Sequence, residues 1–199
     1  MQTEQRYYTP EEYLAQEEVA EFHSEYRDGN LVPMTGGSIN HNQIAGNVYA
    51  LLKFALRGKP FKPYIGDLRL WIPSYRQYTY PDVLVIEGQP CFQQRPDQTQ
   101  RTDTILNPCL IIEVLSKSTK DYDRTDKFRY YRSIAELQEY VLINQYEVAI
   151  DHYTKADSDT WLFRAYESAA EKLTFASVNV EMTFAEIYDC VDFSLNEVE

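Results

Sequence analysis

Residues 109–143 read CLIIEVLSKSTKDYDRTDKFRYYRSIAELQEYVLI, and the changing period of their apolar residues decides the fold. Cys109 to Leu115 is an apolar run broken only by Glu113, as expected of a strand inside a sheet. After SKST, a helix is expected from about Lys120 to Ile134, with Tyr122, Phe128, Tyr131 and Ala135 forming its buried stripe. EYVLI, at 139–143, is a second strand. A strand, a crossover helix and a strand form a β-α-β unit, which requires a parallel pair.

Upstream, Thr9-Pro10-Glu11-Glu12 carries the marks of a helix start: a capping threonine, proline at the first helical position and a glutamate three residues after the cap. That helix should run to about Glu18. FHSEYRDGNLVPM alternates around Asp28-Gly29 and predicts a β-hairpin. From Ser38 to about Arg57, Ile39, Ile44, Val48, Leu51, Leu52 and Ala55 recur at helical spacing, and Gly58 is a plausible stop. YIGDLRLWI and YPDVLVI read as two strands joined by PSYRQYT, and 88–108 reads as a long loop without periodicity. EVAIDHYT and TWLFRAYE are expected to be antiparallel strands, with a last short helix after Thr183. Nothing in the sequence resembles a linker, so one domain over 1–199 is expected.

Several function classes are excluded by composition. At 44% hydrophobic and 14% aromatic the chain is neither disordered nor fibrous, and no apolar run approaches the roughly 18 residues of a membrane span. The first residues show no basic region followed by an apolar one, so a cytoplasmic location is expected. Cys91, Cys109 and Cys190 have neither disulfide-framework nor zinc-site spacing, and Cys109 is expected in the core.

The net charge of −12 argues against a phosphate-binding protein until its distribution is examined. Residues 1–30 carry two basic and eight acidic side chains, and 136–199 carry three and fourteen, but 31–135 carry fourteen and nine. Two basic islands lie in that middle segment. One is Lys53, Arg57, Lys59 and Lys62; the other is Lys117, Lys120, Arg124, Lys127, Arg129 and Arg132. From charge alone, ordinary solvated helix faces are the simpler reading of such islands.

Period 2 puts Leu110, Ile112 and Val114 on one strand face and Cys109, Ile111, Glu113 and Leu115 on the other. An ionised Glu113 buried among those side chains without compensation costs several kcal/mol or takes up a proton. A structural ion pair and a functional site both answer that requirement. Asp82, which follows Pro81 at the start of VLVI, is a second carboxylate opening onto apolar sheet. On neighbouring strands about 4.8 Å apart the two could reach one ion. Two carboxylates, a backbone carbonyl and waters suit Mg²⁺, which prefers hard oxygen donors. An ion held in this way can activate water and neutralise charge on a phosphoryl oxygen.

Pro81-Asp82, IEVLSKST and the downstream Asp123, Lys127 and Tyr131 resemble the Uma-two family of restriction-endonuclease-like proteins, within the PD-(D/E)-x-K nuclease superfamily. The resemblance extends from TPEEYL and EYRDGNLVPM through HNQI to QEYVLI. It implies an α/β restriction-endonuclease-like fold with a central mixed β-sheet flanked by helices, hydrolysis of DNA phosphodiesters with Mg²⁺ or Mn²⁺, and commonly a homodimer. Asp82, Glu113 and the backbone of Val114 are the metal ligands it implies.

The superfamily's lysine, expected two residues after the glutamate, is Leu115 here. Lys127 on the following helix is the candidate replacement, and Lys117 ranks second. Glu25 and His41 also match the family pattern, Glu25 as a further carboxylate and His41 as a group orienting water or touching phosphate. An Asp123–Lys127 surface pair, an exposed hairpin glutamate and an ordinary helix-start histidine are the respective alternatives. Asp67 is either a ligand or a partner of Arg69, whereas His23 and His152 match no motif, and the tyrosines are read as core and interface. The expected activity is a metal-dependent deoxyribonuclease; the alternative is a nucleic-acid-binding or regulatory dimer that keeps the fold without cutting.

Overall fold

The computed structural model describes residues 6–34 and 36–198. The first five residues, part of the segment read for a leader and of the expected 1–199 domain, lie outside the described residues.

Thr9 caps α1 (Pro10–Glu17): its hydroxyl accepts from the Glu12 amide while the Glu12 carboxylate accepts from the Thr9 amide. β1 (Ser24–Arg27) and β2 (Asn30–Pro33) form the expected hairpin, turning through Asp28 and Gly29 at φ of 40° and 96°. Ser38 caps α2 (Ile39–Ala55), whose Ile44, Val48 and Leu52 are buried.

The stretch YIGDLRLWI, expected as one strand, is two: β3 (Phe61–Ile65) and β4 (Arg69–Ile72) lie in different sheets. Gly66, at φ +70°, lets the chain turn between them. β5 (Gln77–Thr79) and β6 (Val83–Glu87) follow. Residues 88–108 are more than a loop, because they contain β7 (Phe92–Gln94) and β8 (Gln100–Ile105). β7 is an edge strand and much of the pair is exposed, so no apolar alternation marks them.

All eight residues of β9 (Pro108–Leu115) are buried. The helix expected over 120–134 begins at Lys120 and has three consecutive parts: α3 (Lys120–Tyr122), a π-helical turn (Asp123–Lys127) and α4 (Phe128–Tyr131). The chain returns through β10 (Glu139–Asn144), parallel to β9. β11 (Ile150–Lys155) and β12 (Trp161–Tyr166) continue antiparallel, and β13 (Lys172–Phe175) pairs with β14 (Val180–Thr183) before α5 (Phe184–Ile187).

The central sheet has the order β12-β11-β10-β9-β6-β3 and is mixed. A second six-stranded sheet, β2-β1-β5-β4-β8-β7, was not foreseen. On one face of β9, Leu110, Ile112 and Val114 pack with α2, β14 and α5; on the other, Ile111 and Leu115 pack with Leu70, Ile72, Tyr131 and Tyr140. Cys109 departs from the alternation and packs with Leu110. The β6–β9 register slips between Val85 and Ile86, so a bulge at Cys109 resets the strand's faces.

Candidate active site

Val83 pairs with Ile112 and Leu84 with Ile111. The same antiparallel register, extended by one residue, sets Asp82 opposite Glu113, which places both carboxylates at one end of the β6–β9 ladder. The Asp82 amide lies 3.4 Å from Glu113 Oε2, and the Val114 amide donates to Asp82 Oδ2 at 2.7 Å. In an extended strand a residue's N–H and C=O lie on the same side. The Val114 carbonyl therefore faces the Asp82 side as well.

Helix α2 brings His41 to the same Asp82 oxygen that accepts from Val114, with Nε2 3.2 Å from Oδ2. The Ser38 hydroxyl that accepts from the His41 amide also bonds the Gln145 side chain, whose amide donates to the Leu115 carbonyl at 2.7 Å. This chain of bonds fixes the start of α2 against the end of β9. A Cβ at Gly37 would sit 2.8 Å from His41 Nδ1, so the absence of a side chain there leaves room for the ring.

Lys127 enters from the π-helical turn, a feature that often marks functional sites. Its ammonium lies 2.8 Å from Glu113 Oε1, 3.3 Å from Asp123 Oδ1 and 3.5 Å from Glu25 Oε1. Tyr131, one turn further on, donates to Glu113 Oε1 at 2.7 Å. Thr79 donates to Glu25 Oε1 at 2.5 Å, and Arg27 holds the other Glu25 oxygen at 2.6 Å. Glu25 is thus a buried anchor for cations rather than an exposed hairpin residue, and Asp123–Lys127 is a buried pair rather than a surface one.

These groups are not equally open. The side chains of Asp82 and His41 are each 21% exposed, whereas those of Glu113 and Lys127 are 5% and 9% exposed. Burial pushes the Glu113 carboxyl up to about 8; the Lys127 ammonium opposes that shift, while Asp82 and Asp123 add to it. For Lys127, burial disfavours the charge, yet Glu113, Tyr131, Glu25 and Asp123 outweigh it and hold the group well above an ordinary lysine. Burial would likewise lower His41, but its bond to Asp82 wins and raises it. In Glu25, Lys127, Thr79 and Arg27 overcome burial and hold the carboxyl below its usual range.

Other residues fall elsewhere. Lys117 is exposed beyond the strand end, near the Tyr146 ring. Asp67 is 94% exposed and lies 3.9 Å from His23, while Arg69 bonds Tyr80 and faces Asp103. His23 bonds Glu17, and His152 bonds Glu139 in a separate buried cluster. Tyr131, Thr79 and Arg27 join the site without having been singled out for it. Tyr131 stood in the Asp123-Lys127-Tyr131 motif and Arg27 shares a face with Glu25 two residues away on β1, whereas Thr79 gave no sequence signal.

Among the described residues no three His, Cys, Asp or Glu side chains form a ready cage for a metal ion. Asp82, Glu113 and the Val114 carbonyl are nevertheless all hard oxygen donors. Asp82, Glu113, Asp123 and Glu25 also outnumber the cations beside them, which leaves Asp82 and Asp123 pushing Glu113 towards protonation. A small, strongly hydrated dication that keeps several waters fits such a site.

Residues 10–185 match the Uma2 family, described as "Putative restriction endonuclease". The chain belongs to the Uma2 family. Two proteins from Synechocystis sp. (strain ATCC 27184 / PCC 6803 / Kazusa) are similar to this chain over most of its length. "Uncharacterized protein sll1609" is 37% identical over 172 residues, covering 86% of this chain and 94% of the relative. "Uncharacterized protein slr1290" is 38% identical over 180 residues, covering 90% of each. The crystal structure of a protein from Anabaena variabilis ATCC 29413, described as "a putative nuclease belonging to DUF820", superposes with a TM-score of 0.73. It is 16% identical and covers 91% of this chain and 97% of its own, a likeness of fold. The fold of this Uma2 chain is therefore restriction-endonuclease-like, with mixed sheets flanked by helices. No helix among its described residues is long and apolar enough to cross a membrane.

Proposed function

We propose that this Uma2 protein hydrolyses DNA phosphodiester bonds with the help of a divalent ion, Mg²⁺ or Mn²⁺. The observation that carries this reading is the meeting of Asp82 and Glu113 at one ladder end, with the Lys127 ammonium 2.8 Å from Glu113. Asp82, Glu113 and the Val114 carbonyl would hold the ion. When bound, such an ion supplies Lewis-acid stabilisation of phosphoryl charge and lowers the pKa of water.

The chain's own residues have separable tasks. Lys127 offers a fixed positive charge to a water or a phosphate oxygen at the site, and its three carboxylates hold it in place before substrate arrives. His41 braces Asp82 Oδ2 and presents a partly exposed imidazole as a further donor to the phosphate. Tyr131 fixes one Glu113 oxygen at 2.7 Å, so Oε2 is the atom turned towards Asp82.

The test is cleavage of single-stranded, duplex and branched DNA, with RNA as a fourth substrate, in Mg²⁺, Mn²⁺ or EDTA. Wild type should cut at least one DNA form only with metal. Asp82→Ala combined with Glu113→Ala should abolish cutting, and Lys127→Met should slow it about 10²–10³-fold. Metal should also raise the melting temperature of wild type and leave that of the double variant unchanged. Failure to cut any DNA form, together with no metal effect on melting, would overturn the proposal.

A further inference from the structure

The two basic islands separate in the structure. The second disperses: Arg124 pairs with Asp151, Arg129 with Asp126, and Lys127 lies inside the candidate site. The first stays together. Lys53, Arg57, Lys59 and Lys62 line an open depression of about 380 Å³ between the end of α2 and the start of β3, and no acid lines it. Among the described residues none of the four makes an ion pair; Lys62 bonds the neutral Gln89 at 3.1 Å. In a chain with 31 acids and 19 basic residues, four adjacent cations left without acids are a concentrated exception.

From this geometry we infer that the depression is a second contact for the sugar-phosphate backbone of the nucleic acid, remote from the cutting site. The inference rests on the nuclease reading and extends it. His41 stands in the first turn of α2 and the basic residues near its last, so the two ends are about 20 Å apart along the helix axis. In duplex DNA that is about six base pairs at 3.4 Å each. The depression sits at the far end of the β3–β6 ladder from Asp82, where Phe61 faces Glu87, so substrate running along this edge strand could reach both places.

A free phosphate is the weaker fit. A helix C-terminus carries partial negative charge, which repels a small anion seated on its axis. The cations instead surround an open surface on long, flexible stems, an arrangement suited to a spaced row of phosphates and not to one enclosed anion.

The experiment is binding of a fluorescein-labelled duplex of about 30 bp, followed by anisotropy in EDTA so that no cutting occurs, at salt between about 50 and 200 mM. The variant replaces Lys53, Arg57, Lys59 and Lys62 with Gln, and circular dichroism melting checks its fold; Lys59→Gln alone provides a milder version. Each phosphate neutralised contributes about 0.9 to the salt slope. If each cation meets one phosphate, the variant's slope should be shallower by about 3–4. Across that salt range wild type should lose about 100-fold more affinity than the folded variant.

Equal slopes for wild type and variant would overturn the inference. So would competition by millimolar inorganic phosphate at constant ionic strength, which would indicate a single-anion site. Wild-type binding to phosphatidylserine vesicles but not to duplex would assign the surface to a membrane and overturn it as well. Duplex binding that depends on the four cations, without cleavage in metal, would refute the hydrolytic reading and leave this surface standing.

Discussion

Lys127 and Glu113 lie 2.8 Å apart, yet removing either partner should have different consequences. Lys127→Met leaves Glu113, Glu25 and Asp123 converging on an uncharged side chain. Breaking a buried pair in this way costs about 3–5 kcal/mol. Glu113→Gln leaves Lys127 with Asp123 at 3.3 Å and Glu25 at 3.5 Å, and the Tyr131 hydroxyl can still donate to the amide oxygen.

The pH dependence sharpens the contrast. Glu113 ordinarily titrates near 4.5 and is pushed up to about 8 in the fold. Between those values the native protein holds a proton that the unfolded chain has released, so stability falls as pH rises through the window, by a few kcal/mol. Lys127→Met removes the charge opposing that shift and should carry the fall on to higher pH; Glu113→Gln removes the titrating group and should flatten it. Guanidinium unfolding in EDTA from pH 5 to 9, followed by the fluorescence of the two tryptophans, measures both effects. At pH 8 Glu113→Gln should lie within about 1 kcal/mol of wild type, because the lost pair and the relieved buried charge offset each other. Equal losses with parallel pH profiles would refute the argument that the site holds an excess of carboxylate.

Tyr131→Phe keeps the fully buried ring and removes the hydroxyl bonded to Glu113, so a loss of about 1–2 kcal/mol with unchanged secondary structure is expected in the same unfolding assay. Glu139 accepts from His152, the Ala176 and Ser177 amides and the Ser177 hydroxyl, and these bonds overcome burial to hold it below its usual range. Its stabilisation is full above the ordinary carboxyl value and is lost as pH falls through the lowered one, so Glu139→Ala should cost about 2–3 kcal/mol at pH 7 and less in acid, where an undiminished cost at low pH would count against the linkage.

The elements legible in the sequence are those whose side chains face one environment throughout. The β9 run, the α2 stripe and the Asp28-Gly29 turn each carry a periodic or local signal strong enough to read alone. β7 and β8 carry none, because much of an edge pair faces solvent on both sides and Gln, Arg and Asp are tolerated there. YIGDLRLWI misleads for another reason. Its apolar residues serve two sheets, and only the left-handed Gly66 shows that the chain changes layer. At the candidate site, sequence spacing could group Asp123, Lys127 and Tyr131, and strand parity puts Arg27 on the face of Glu25, but it could not bring Thr79 to Glu25, since that contact depends on a second sheet that periodicity did not reveal.

That second sheet also explains how Leu115 can stand where the superfamily pattern has lysine. β9 has no solvent-facing side at this point: Leu115 is 2% exposed and packs in the cluster that includes Leu70, Ile72 and Tyr131. A lysine there would require an acid partner within an otherwise apolar cluster. The π-helical turn delivers the ammonium to Glu113 from across the layer, where Glu25 and Asp123 are already positioned to receive it. Moving the cation from strand to helix therefore lets β9 remain apolar next to Glu113. It also makes the helix register part of the site, so that a one-residue deletion within 123–127 would turn Lys127 away from Glu113 by roughly 100°.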